Sequence, residues 1–103
     1  MVSIIDGKRY NTETAREVAS ASSGGSTSDF RFFSEDLYLT PKGTWFIAGA
    51  GGAASKYRER IGDLWGWGSK ITPLTPQEAR EWLEAHDEVD ALEEHFRDQI
   101  EDA

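Results

Sequence analysis

Residues 45–56, WFIAGAGGAASK, hold the spacing in this chain most suggestive of chemistry. The Gly49-x-Gly51-x-x-Ala54 pattern after an apolar run approaches the turn that cradles a dinucleotide pyrophosphate. Lys56 stands near where a P-loop lysine would reach a phosphate. Either site needs a strand that leads into a helix beside a parallel strand. Here the apolar run faces residues 30–40 across the turn TPKGT, 40–44, which reads as an antiparallel hairpin. LWGWGSK, 64–70, is broken by glycine where the second parallel strand should run. Ala54 replaces the second P-loop glycine, and Tyr57 stands where the metal-binding hydroxyl should follow Lys56. The glycines are therefore expected to serve the backbone, through positive φ or close approach, and not a nucleotide.

Other catalytic constellations are missing. His86 and His95 lie nine residues apart, about 90° around a helix, match no ligand motif and read as surface histidines. No metal and no cofactor are expected. The serines gather in SASSGGSTSD, 20–29, with no histidine beside them to activate one. The chain has no cysteine, which excludes disulfides and thiolate chemistry. A non-enzymatic protein is expected.

Charge and aromatics point to binding. The net charge is −8, and residues 76–103 hold eleven acids against Arg80 and Arg97 while the rest is close to balanced. On a helix, Glu81, Glu84, Glu88, Glu94, Asp98 and Glu101 lie away from the apolar stripe. Successive turns space them about 5–6 Å apart, a spacing comparable to nucleic-acid phosphates. Such a face could fill a basic groove by complementary charge. Trp65 and Trp67 form a second candidate contact, since aromatics are enriched at hot spots; one of the two is expected in the core. Lys56, Arg58 and Arg60 in SKYRER form a weaker nucleic-acid candidate, diluted by Glu59 and outweighed by the acids.

The elements that position these residues are short. Ile4–Tyr10 reads as a hairpin about Asp6-Gly7, and Asn11 or Thr12 is expected to cap a short helix through Val18. Residues 20–29 read as a flexible Ser/Gly loop. Residues 30–40 and 45–47 form the central strands, and Ser69–Leu74 adds one more short strand, which Pro73 confines to an edge or end. Thr75-Pro76-Gln77-Glu78 spells a capping box with proline at the first helical position. A C-terminal helical segment follows, continuous or broken near Asp87, packed by Trp82, Val89, Leu92, Phe96 and Ile100. The expected fold is α+β in one domain, 1–103: a small antiparallel sheet, a short N-terminal helix and a C-terminal helical segment. No apolar run reaches membrane-spanning length and the N-terminus lacks a signal-peptide pattern, so a soluble, intracellular protein is expected.

The order of the pieces resembles a family of small proteins carried by phages and mobile elements. The resemblance rests on Lys8-Arg9-Tyr10-Asn11-Thr12-Glu13-Thr14-Ala15, on 35–46 (EDLYLTPKGTWF), on 49–57 (GAGGAASKY), and on Ile71-Thr72-Pro73-Leu74-Thr75 with Trp82. It covers most of residues 8–96 and is far more specific in combination than in any piece. It implies a counter-defence role similar to that of anti-CRISPR proteins, which are typically small, acidic and non-enzymatic. The implied partner is a CRISPR–Cas effector subunit with a basic surface, in the cytoplasm of a bacterial host, with no direct nucleic-acid contact. A regulatory or assembly module of the mobile element, using Trp65 and Trp67, is the alternative. The resemblance assigns no site residues.

Overall fold

The computed structural model of the chain covers residues 1–103. Its frame is a four-stranded antiparallel sheet in the order β3-β4-β5-β8, built from Arg16–Ser22, Phe33–Leu39, Trp45–Gly51 and Gly68–Leu74. A hairpin of β1 (Val2–Ile5) and β2 (Lys8–Asn11) covers one face, and helices α1 (Pro76–Ala85) and α2 (Val89–His95) cover the other. A second hairpin, β6 (Glu59–Ile61) and β7 (Leu64–Gly66), leaves the sheet between β5 and β8. The expected α+β class is what the chain adopts.

Side-chain alternation along β4 and β5 explains the three layers. Leu37, Trp45 and Ile47 point to the helices and pack with Ala79, Leu83 and Phe96. Phe46 and Ile71 point the other way and meet Tyr10 of the N-terminal hairpin. Phe46 is fully buried, with Tyr38 stacked on it at 5.1 Å and Tyr10 edge-on at 5.5 Å. Each fully buried Leu or Phe contributes about 1.5–3 kcal/mol, so both clusters matter to the fold.

The turns follow their residues. Asp6 and Gly7 both have positive φ (51° and 76°), as a two-residue hairpin turn demands. Gly43, at φ 86°, closes the β4–β5 turn. Pro73 lies on edge strand β8 opposite Phe46, where its missing N–H breaks no interior ladder. Thr75 and Glu78 form the capping box, with bonds of 3.1 and 2.8 Å.

Three expectations need correction. The N-terminal helix does not form. Asn11 does start a turn, accepting from the N–H groups of Glu13, Thr14 and Ala15, but the chain then extends into β3. Pairing with β4 overrides the local preference, because it places Ala15 in the hairpin-side core and Val18 in the helix-side core. The Ser/Gly connection accordingly begins later, since Ser20, Ala21 and Ser22 belong to β3.

The C-terminal segment is broken, not continuous. Asp87 adopts φ +54°, Glu88 N–H reaches back to Leu83 C=O at 3.0 Å, and Asp87 N–H reaches Glu84 C=O at 3.2 Å. That is a Schellman closure with aspartate in the position glycine usually takes. It changes the phase of the apolar stripe. Ala79, Leu83 and Phe96 are buried, Trp82 and Leu92 are half-buried, and Val89 and Ile100 are exposed, contrary to expectation. A 3-10 turn, Arg97–Gln99, ends the ordered elements.

Candidate functional site

The glycine run is resolved by one tyrosine. Gly49, Gly51 and Gly52 all have ordinary negative or extended φ, so close approach is their reason. A Cβ on Gly49 would fall inside the ring of Tyr57, and its three nearest atoms would all belong to that side chain. A Cβ on Gly51 would crowd Ser55 Oγ and sit 2.8 Å from Phe32 C=O; one on Gly52 would meet Phe30 C=O at 2.6 Å. Gly68 makes room for the Tyr57 carbonyl. The run thus lets residues 52–58 fold back over β5 and lay Tyr57 across the sheet. No helix follows β5, and both its neighbours are antiparallel. A phosphate cradle has no place here.

Tyr57 reaches Glu35, the only buried carboxylate. Period-two alternation puts Glu35 on the helix side of β4 with Leu37, opposite Gly49. Its Oε2 accepts from Tyr57 Oη and pairs with Lys56 Nζ at 2.8 Å, and its Oε1 accepts from Trp82 Nε1 at 3.1 Å. Burial pushes the Glu35 carboxyl up, but the bonds from Lys56, Tyr57 and Trp82 outweigh it and hold the group below its usual value. Burial and the neighbouring carboxylate push the Tyr57 phenol well up. The cluster joins β4, α1 and the 52–58 segment by charge-assisted bonds. Tyr57, Lys56 and Trp82 all converge on Glu35, so the arrangement fastens the 52–58 segment to the sheet and to α1. Sequence reasoning passed over Glu35, although its place among Phe33, Leu37 and Leu39 marked it as inward-facing.

The aromatic contact is a hairpin, not an irregular loop. Gly62, at φ 62°, and Asp63 form a two-residue turn, and Gly-Asp between two apolar positions was the signal for it. Arg60 is paired opposite Trp65, and the guanidiniums of Arg58 and Arg60 lie 4.3 and 5.7 Å from the Trp65 ring centre. Trp67 stacks on Phe32 at 6.2 Å. Neither tryptophan is in the core: Trp65 is 46% and Trp67 48% exposed, with Ile61 at 63% and Leu64 at 74% beside them. The expected core role for one tryptophan fails, because Tyr57 already fills the space under the 52–58 segment. The basic cluster is also reassigned, since Lys56 serves Glu35 and the two arginines serve Trp65.

The acidic residues are distributed over separate pieces. Glu81 and Glu84 lie on α1, Glu88 in the break, Glu94 on α2, Asp98 in the 3-10 turn and Glu101 beyond it. All are exposed except Glu88, which is half-buried. Glu94 is engaged by Arg16 at 2.8 Å and by His95 at 2.9 Å; the others form no ion pair. The regular ladder of one long helix is therefore replaced by a broad acidic face. His86 packs on Trp82, with its Nδ1 2.7 Å from Trp82 C=O, and His95 stands edge-on to Trp45. The two histidines are not brought together, and no group of three or more His, Asp or Glu is arranged to hold a metal ion.

Comparison of the chain with protein-family models, curated proteins and solved structures finds no match. No helix is long and apolar enough to cross a membrane.

Proposed function

We propose that this chain is a non-enzymatic binding protein that recognises a protein partner with a basic surface. The β6–β7 hairpin serves as anchor and the acidic C-terminal face supplies complementary charge. The observation that carries the reading is the exposure of Ile61, Leu64 and Trp65 on this hairpin, with Trp67 exposed just beyond its second strand. Large apolar side chains gathered on a monomer surface mark a contact, and tryptophan beside arginine is the composition of a hot spot. The shape agrees. The radius of gyration is 15.0 Å, against about 12.8 Å for a compact chain of this length. The accessible surface is 7019 Å², about 1,200 Å² more than such a mass ordinarily exposes.

Following the resemblance to phage and mobile-element proteins, the partner is a CRISPR–Cas effector subunit in the bacterial cytoplasm, and binding inhibits it. Exposed Glu81, Glu84, Asp98 and Glu101 would then face the groove that ordinarily holds nucleic acid. Pull-down of the tagged chain with purified effector complexes, with and without target DNA, tests this. Capture that DNA competes away, and that Leu64→Ala/Trp65→Ala abolishes, is the expected result. Capture lost only on reversing Glu84, Glu88 and Asp98 to lysine would assign the contact to the acidic face alone. Failure to capture any effector would refute the counter-defence role.

A further inference from the structure

A groove of about 750 Å³ lies between β2 and the β4–β5 turn, within the size range of small-molecule sites, roughly 300–1,000 Å³. Lys8 and Arg9 line it from the hairpin and Lys42 from the turn, and no carboxylate does. In a chain of net charge −8, this concentration of uncompensated cations stands out. None of the three forms an ion pair or lies over an aromatic ring, so their donors are free for a ligand. Thr40, also in the wall, accepts the Thr44 N–H at 3.0 Å through its Oγ1, which leaves its own proton to donate. Ile4, 66% exposed, and Pro41 provide an apolar wall alongside. The sheet separates this groove from the helices and their acids.

We propose that this groove binds a phosphate-bearing small molecule of nucleotide size. Lys8, Arg9 and Lys42 surround the phosphate, Thr40 donates to one of its oxygens, and the non-phosphate part rests on Ile4 and Pro41. Charge-assisted bonds to phosphate are the strong class of hydrogen bond, and three cations exceed the charge of one phosphate monoester, about −2 at neutral pH, which leaves room for a diphosphate. The site stands apart from the β6–β7 hairpin, so either assignment survives loss of the other.

The test is amide NMR of the isotope-labelled full chain titrated with inorganic pyrophosphate and with AMP, each against sodium chloride at matched ionic strength. Saturable shifts confined to residues 7–14 and 40–44 are expected. Affinity should fall at least about tenfold in Lys8→Ala/Lys42→Ala and persist in Lys8→Arg/Lys42→Arg, as charge-assisted bonding requires. Shifts no different from those with sodium chloride, or equal affinity in the alanine variant, would overturn the site. A short single-stranded oligonucleotide distinguishes the source of the phosphate: binding of the oligonucleotide without binding of AMP would replace the small molecule by a nucleic-acid backbone.

Discussion

Gly49→Ala puts the account of the glycine run at risk. The new methyl would occupy the space of the Tyr57 ring, far inside the 3.4 Å at which ordinary contact begins, and Gly49 lies mid-strand between β4 and β8 with no room to yield. The ring must move. Overpacking of this kind costs about 1–3 kcal/mol, and displacing the phenol from Glu35 forfeits a bond to a charged group, about 1.5–3 kcal/mol. Replacing glycine in a strand returns about 0.5–1 kcal/mol. The net loss is about 2–5 kcal/mol, a large share of the roughly 5–15 kcal/mol a domain possesses. Urea unfolding followed by tryptophan fluorescence measures it. The decisive comparison is the same substitution in a Tyr57→Ala background, where the side chain that supplies the three nearest atoms is gone. There Gly49→Ala should be neutral or stabilising by up to about 1 kcal/mol. An undiminished penalty in that background would refute close approach as the reason for the glycine.

Four further outcomes are expected. Glu35→Gln should destabilise by about 2–3 kcal/mol, because Lys56 loses its charged partner and charged bonds are of that size. The carboxyl is held below its ordinary value near 4.5, so its contribution is complete above that pH and is lost as pH falls through the folded value; stability curves of wild type and Glu35→Gln should converge in acid. Asp87→Gly should raise stability by about 0.5–1 kcal/mol in thermal melts, since the left-handed Schellman position suits glycine. Thr75→Ala should cost about 1 kcal/mol by removing the cap of α1, read as an earlier helix transition in circular dichroism. Trp65→Ala should leave the melting temperature within about 2 °C, because the side chain is half-exposed and surface changes stay near ±0.5 kcal/mol, while removing the contact with Arg58 and any partner binding.

How much of this was legible depends on how local the cause is. The Asp6-Gly7 turn, the capping box at Thr75 and the edge position of Pro73 are set within four residues, and the chain obeys them. The β4–β5 hairpin was legible from its turn and apolar strands, though not its run through Gly49 and Gly51, because glycine carries no strand signal. Tyr57 supplies the missing reason from outside the strand. The helix expected after Asn11 failed for a similar cause: β4 needed an edge partner, and small residues such as Ala19 and Ala21 can serve in either state. The helix break at Asp87 had no glycine or proline to announce it. Of the proposed contact residues, exposure of the acids followed from charge, whereas exposure of both tryptophans depended on which side chain had already filled the core. The Lys8–Arg9–Lys42 groove joins segments more than thirty positions apart, and only the packing of the hairpin on the sheet brings them together.

The helices' acids on one side of the sheet and Lys8, Arg9 and Lys42 on the other give the molecule a permanent electric moment as well as a net charge. In the field of a charged surface, a body so built experiences a torque before contact is made. Against the basic partner proposed above it would arrive already turned, helix acids toward that partner and cationic groove outward. The stretch of encounter over which this works is the screening length, about 8 Å at physiological ionic strength, shorter than the molecule's narrowest 19 Å extent. Orientation is thus decided within the last few layers of water, and added salt shortens that stretch.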